Sequence, residues 1–407
     1  MSSAAATALL DARKTFPALR DRVFLDAACV SLIAQPVHDA IRRFLDLCLL
    51  PEAGDASRHH IEMDEARPRT VAEAARLLNA DPASVALVES TSHGLTIVAN
   101  ALPLCTGDRV LIADTEFLQV AIPWQVRAKT TGIEIVPVPT HDEGVVTPDD
   151  FAGAMDARTK VVCVSSVQWN SGWRIDLAGL SDLCRSRGVW LIVDAIQELG
   201  ACPIDTRATP VDALVAGGHK WLNAPFGCGI LYLGPRIIQE LEPAGYGYLA
   251  VTEPDGGWDE YFRTPSITPY APRTFVRTAK RFEIGGTSNY PGAIGLGASL
   301  RQINEIGTGA IHAHIQRLTN RLHEELPRTG ARVVSKREPA QARSGITTFT
   351  YDDAARNREV LQHLLSHRVQ ASIRYTSGVG GIRVSTHFFN DEEDLEKLIH
   401  AVRTAQV

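Results

Sequence analysis

Lys220 is the residue whose chemistry most needs explaining. It stands in VAGGHKWLNAPFGCGILYL, residues 215–233, in a Gly-rich turn between two apolar runs. A lysine is rarely buried without a partner. In a dry turn, desolvation lowers its pKa and frees the amine as a Schiff-base nucleophile. The alternative is an ordinary surface lysine. Asp194 ends the apolar run VWLIVDA. An acid there is costly to bury without a cation. A protonated pyridine nitrogen would be such a cation, and the acid would keep that ring an electron sink. Gln197, three residues on, is spaced to reach the same ring's phenolic oxygen. The alternative for Asp194 is a helix N-cap after a strand.

Three weaker signals accompany these two. In ESTSHGL, residues 89–95, the N–H groups of Thr91 and Ser92 would open a helix and offer an anion site. In FEIGGTSN, residues 282–289, Thr287 offers a hydroxyl to a phosphate. Plain capping explains either turn equally well. Arg383 in GGIRVS could clamp a carboxylate with two parallel hydrogen bonds, or form a surface salt bridge. Arg374, on the preceding strand, is a second carboxylate contact or a surface residue.

These residues need elements to hold them. Short β-rich runs at 85–88, 109–113, 133–138, 160–165, 189–193, 213–216 and 229–233 alternate with helical patterns such as 122–129 and 177–187. Such alternation predicts an α/β fold with a mainly parallel seven-stranded sheet. VVCVSS and VWLIVDA are nearly continuous in apolar residues, as strands covered on both faces should be. From residue 252 the chain turns rich in Pro, Gly and aromatics and reads as a long irregular segment. Helices at 290–306 and 310–325, strands near 345–351 and 381–385, and a closing helix from Asp391 predict a smaller α+β domain. The expected division is an N-terminal segment 1–30 packing with the small domain, a large domain 31–275 and a small domain 276–407.

Composition narrows the function classes. The chain has 407 residues, 45% hydrophobic and 22% charged, with a formal charge of −6. That balance supplies no basic field for nucleic acid or an anionic membrane. Seven scattered cysteines, with no C-x-x-C pair, argue against zinc or a disulfide framework. They suit a reducing cytoplasm. The first residues lack the basic region of a signal peptide. No run approaches the roughly 18 apolar residues of a membrane span.

The order of parts is more specific than any one of them. A Ser/Thr-Gly turn, Asp-x-x-Gln after a strand, His-Lys after the next, then Gly-Thr and Arg, resembles the class V aminotransferases. These are fold-type I enzymes dependent on pyridoxal 5′-phosphate, and include cysteine desulfurases, isopenicillin N epimerase-like proteins and cysteine S-conjugate lyases. FLDAAC, SSVQWNSG, DAIQELG, GGHKW and GIRVSTHFFN carry the resemblance over nearly the whole chain. It implies that Lys220 carries the cofactor as a Schiff base, Asp194 pairs with the ring nitrogen and Gln197 with the ring hydroxyl. Thr91, Ser92 and His219 would hold the phosphate, joined by Thr287 from the second subunit of a homodimer with shared sites. Phe117 would stack on the ring. The family's asparagine aligns at Trp169, beside Asn170. Asn170 is expected at the cofactor and Trp169 at the substrate, with the reverse open. Arg383 and Arg374 would bind the carboxylate of a small amino-acid substrate.

Desulfurases carry a nucleophilic cysteine on the loop between small-domain strands. Here that loop reads SIRYTSGVGGIR, and no cysteine follows Cys228. The expectation is therefore that this is not a cysteine desulfurase but a β-eliminating carbon–sulfur lyase. Its substrate would be a cysteine S-conjugate of secondary or thiol metabolism, walled by Trp258, Tyr261, Phe262 and Tyr270. The alternatives are an aminotransferase, an epimerase or a decarboxylating deaminase. A noncatalytic regulator on the same fold is disfavoured by the intact Lys220, Asp194 and Gln197.

Overall fold

The computed structural model describes residues 3–52, 54–283 and 289–405. Its strands are β1 (Val23–Phe24), β2 (Val85–Val88), β3 (Arg109–Ala113), β4 (Glu134–Val138), β5 (Thr159–Ser165), β6 (Trp190–Asp194), β7 (Ala213–Gly217), β8 (Gly229–Leu233), β9 (Arg332–Val333), β10 (Ile346–Thr350), β11 (Val369–Gln370), β12 (Ser372–Thr376) and β13 (Val379–Ser385). β2 to β8 form one sheet, ordered β2-β8-β7-β6-β5-β3-β4. Pairs are parallel except the two that β8 makes with β2 and β7. Six strands therefore run the same way and end at one edge. That edge is where open α/β sheets bind ligands. β2, β6 and β7 deliver the 90–92 turn, Asp194 and the His219–Lys220 turn to it.

The α/β class and the seven strands agree with the sequence reading. β6 runs one residue later than its apolar run, because Ser165 of β5 pairs with Asp194 and carries the ladder to the acid. Alternate residues divide between two cores. Val162, Val164, Leu191 and Val193 face one, and Val161, Cys163, Trp190 and Ile192 the other. A strand buried on both faces must read as a continuous apolar run. Among the described residues no helix is long and apolar enough to cross a membrane.

The smaller sheet is antiparallel, ordered β12-β13-β10-β9. Its core includes Val23 and Leu25 from the chain's start. β1 pairs in parallel with β11, and the Ser385 N–H donates to Leu25 O at 2.7 Å. This fastens the turn at 26–29 beside β13. The β12–β13 connection is a two-residue turn, Ser377-Gly378, with φ of 48° and 78°. Positive φ at both positions is the type I′ pattern that suits a tight hairpin. In the segment after residue 252, Trp258 packs on Tyr248, Tyr261 and Phe262, and Tyr270 is 91% exposed. None of the four expected aromatic walls lines the cavity that holds Lys220. Trp258, Tyr261 and Phe262 pack on one another instead, while Tyr270 stands exposed.

The small sheet also grips the lysine turn. His387 Nε2 donates to Trp221 O at 3.0 Å and to Asn223 Oδ1 at 2.8 Å. Burial lowers the His387 pKa to about 3, so the ring is neutral. Gly345 lies where Trp221 passes. A Cβ there would stand 2.5 Å from the indole and 2.7 Å from Thr386 O. Gly345→Ala should therefore cost about 1–3 kcal/mol, the usual range for overpacking. Urea denaturation should read a lower midpoint at unchanged slope. An unaltered midpoint would mean that Trp221 moves aside freely.

Candidate active site

A cavity of about 330 Å³ opens at the carboxyl edge of the large sheet. Lys220 and His219 reach it from the turn after β7, Asp194 from the end of β6, and Gln197 from the turn that follows. Ser90, Thr91 and Ser92 reach it from the start of the helix Thr91–Ala101. Phe117, Trp169, Arg374 and Arg383 complete the walls with Cys29. The expected residues outside this group are Asn170 and Thr287. Thr287 lies outside the described residues.

Lys220 is half-buried, and the surface it keeps faces this cavity. Burial lowers its pKa to about 8; Asp194 opposes the shift, and Arg383 adds to it. Asp194 is 3% exposed. Burial raises its pKa to about 6, while the Ile196 N–H, at 2.9 Å, and Lys220 hold it down. Each charge thus opposes the shift that burial imposes on the other. Gln197 Nε2 donates to Ala28 O at 3.0 Å and its Oε1 accepts from Trp221 Nε1 at 2.8 Å. One amide hydrogen is left for a ligand.

The helix start is built to receive an anion. Ser90 caps it by accepting from the His93 N–H at 3.1 Å. The N–H groups of Thr91 and Ser92 lie in the first turn, where a helix offers no partner. Thr91 Oγ1 accepts from Gly217 N at 2.9 Å, which leaves its own hydrogen to donate. A side chain at Gly217 would stand 3.2 Å from both Thr91 Oγ1 and the His219 ring, filling this cradle. Burial, followed by Lys220, lowers the His219 pKa to about 4.

Phe117 precedes the helix Leu118–Thr131. Lys220 Nζ lies 5.8 Å from its ring centroid, and Trp169 meets it edge-on at 5.3 Å. Trp169, not Asn170, faces the cavity. Asn170 is fully buried and donates to Val379 O at 3.2 Å. The turn after β5 directs it toward the β12–β13 hairpin rather than into the cavity.

Arg383 is 1% exposed. Its Nη1 donates to Trp169 O at 2.7 Å, and Nη2 lies 3.4 Å from Asp26. Its Nε has no hydrogen-bond partner. Burial works to lower the Arg383 pKa and Asp26 opposes it. A buried guanidinium N–H without an acceptor is costly, and a ligand carboxylate would satisfy it. Arg374 donates to Cys29 Sγ at 3.2 Å.

Sequence reasoning missed Cys29 and Glu116. Glu116 accepts from the Ser165 N–H at 2.7 Å and from Gln168 Nε2 at 3.0 Å behind the site. Burial raises its pKa to about 7, despite those hydrogen bonds. Neither lies in a periodic pattern. FLDAAC was visible as a motif, but only tertiary contacts bring its cysteine beside Arg374. Among the described residues no group of three His, Cys, Asp or Glu is disposed to hold a metal.

Residues 23–398 match the aminotransferase class-V family. The chain belongs to that family. Its members are fold-type I enzymes with pyridoxal 5′-phosphate as cofactor. A probable cysteine desulfurase of Methanothermobacter thermautotrophicus is 31% identical over 77% of this chain and 74% of its own length. The isopenicillin N epimerase of Streptomyces clavuligerus is 26% identical over 81% of each chain. The fold is similar to the apo structure of a cysteine desulfurase from Thermococcus onnurineus NA1, with TM-score 0.83 and 23% identity over 97% of each chain.

These relatives correct the expectation that desulfurase activity is excluded in favour of an S-conjugate lyase. That exclusion assumed that a sulfur nucleophile must come from the small-domain loop. The loop is a cysteine-free two-residue turn, and Cys29 of the N-terminal segment lines the cavity.

The cavity fits the family's cofactor. Asp194 is a buried carboxylate that needs a cation, Lys220 is an accessible amine, and the Gly217 cradle opens beside free helix N–H groups. The same electrostatics make a test. The Lys220 pKa of about 8 lies below its ordinary 10.5. The lysine's contribution to folding stability therefore rises with pH between those values, since the unfolded chain binds the proton more tightly. Asp194→Asn removes the neighbour that holds the lysine pKa up. In cofactor-free protein, amine labelling of Lys220 should then show a midpoint below that of wild type. An unmoved midpoint would count against direct coupling.

Proposed function

We propose that the protein cleaves the carbon–sulfur bond of L-cysteine or a close derivative, with pyridoxal 5′-phosphate as cofactor. The observation that carries this reading is one cavity shared by the Lys220 amine, the Asp194 carboxylate, the Arg374 and Arg383 guanidiniums and a thiol. Repeated cysteine desulfurases among the relatives support sulfur chemistry over other branches.

When bound, the cofactor supplies an electron sink for charge developing at the substrate's Cα. Asp194 would pair with the cofactor's ring nitrogen and so maintain that sink. The start of the helix Thr91–Ala101 would hold the phosphate through its N–H groups and the Thr91 hydroxyl. Arg383 binds the substrate carboxylate with its unpartnered Nε edge, and Arg374 lends a second positive charge. Lys220, with its lowered pKa, takes the proton from Cα and holds it for return. Phe117 and Trp169 exclude water from the face on which they meet.

A homodimer belongs to this reading. Leu45, Leu49 and Leu50, exposed by 53%, 76% and 74%, give the helix Gln35–Leu49 and its end an apolar face suited to a second copy.

Holoenzyme given L-cysteine in deuterated water should yield alanine or pyruvate with released sulfur. Lys220→Ala should lose at least about 100-fold of the rate, within the range for a positioned acid or base. Arg383→Lys should raise KM more than it lowers kcat, since it weakens carboxylate binding. Recovery of cysteine with deuterium or inverted configuration at Cα, and no sulfur loss, would overturn the reading in favour of epimerisation.

A further inference from the structure

Cys29 lines the cavity that holds Lys220, and none of the other six cysteines does. Its N–H donates to Asp26 O at 2.9 Å, in the turn that β1 fastens against the small sheet. Cys29 is partly exposed, and its Sγ accepts from Arg374 Nη2 at 3.2 Å. A guanidinium donor steadies negative charge on the atom it meets. Cys29 also helps to hold the Lys220 pKa up, behind the larger influences of burial, Asp194 and Arg383.

A second observation says that a ligand comes here. Arg383 is 1% exposed, its Nε has no partner, and it lines the same cavity. Buried donors are almost always satisfied. An α-carboxylate would satisfy this one. An amino acid whose carboxylate is held there shares the cavity of about 330 Å³ with Lys220 and Cys29.

Resting on the carbon–sulfur reading above, we infer that Cys29 is the sulfur acceptor of the reaction. Its thiolate attacks the substrate sulfur, and an S–S bond forms. The substrate's Cβ–S bond breaks with its electron pair left on carbon. The proton lost by the Cys29 thiol balances the one that Cβ takes up. L-cysteine and the Cys29 thiol thus become L-alanine and a Cys29 persulfide, with no external oxidant. Arg374 orients Cys29 and stabilises the charge on its sulfur before and after transfer. This assigns to the N-terminal turn the task for which the two-residue β12–β13 hairpin has no residue.

Holoenzyme is incubated with L-cysteine, quenched with an alkylating reagent, digested and weighed by mass spectrometry. One added sulfur atom is expected on the peptide carrying Cys29, and none in Lys220→Ala. Cys29→Ala and Cys29→Ser should keep the cofactor's visible absorption and its change on adding cysteine. Their alanine formation should fall at least about tenfold, a loss of roughly 1.4 kcal/mol of transition-state stabilisation. Sulfur on another cysteine, or alanine formation unchanged in Cys29→Ala, would overturn the assignment and leave carbon–sulfur cleavage standing. Pyruvate and free sulfide released equally by wild type and Cys29→Ala would do the same. Failure of wild type to cleave L-cysteine would overturn the underlying reading, and the assignment with it.

Discussion

Desolvation of one amine beside one carboxylate is the constraint that organises this molecule. Lys220 and Asp194 each lose hydration, and each is the other's partial compensation. Burial lowers the lysine pKa to about 8 and raises the acid's to about 6, and the charge of each opposes the other's shift. Two such groups need a rigid frame, since charges held in low dielectric are costly when displaced. The frame is the set of strands β5 to β7, buried on both faces.

The direction of the strands explains why distant segments meet. Chain positions near 90, 194 and 220 share one edge because β2, β6 and β7 run the same way. β8 is the strand that reverses, and its reversal lets β2 lie at the sheet's margin while still pointing its carboxyl end at the cavity. Each helix or turn that follows such a strand begins beside the site. The first turn of the helix Thr91–Ala101 thereby offers its free N–H groups to the same space as the amine.

The small sheet adds the positive charge and closes the circuit of contacts. β13 carries Arg383 inward, and its guanidinium bridges toward Trp169, after β5, and Asp26, after β1. His387, four residues on, holds the backbone of the lysine turn. Cofactor side and substrate side are therefore mechanically joined. The N-terminal turn is trapped between them, and this is how Cys29 comes to lie against Arg374, 345 residues later in the chain.

Much of this was legible in the sequence. The two-faced strands read as apolar runs because each of their residues meets one core or the other. Lys220, Asp194, Gln197, Thr91 and Ser92 were legible because a polar residue at the end of such a run has few reasons to be there. Arg383 carried a weaker signal, as a lone arginine on a strand usually faces solvent. Spacing along the chain determined the fold class and the order of the chemical groups. Only the tertiary structure decided which neighbour of the pair Trp169–Asn170 faces the cavity, since a turn can present either. It decided that Trp258, Tyr261 and Phe262 pack on one another. It also decided that a thiol from the chain's start stands in the site, because no local pattern encodes the pairing of β1 with β11. Local periodicity reports what a residue's own element buries. Contacts between segments hundreds of residues apart depend on how the elements dock, and that is settled only when the whole core forms.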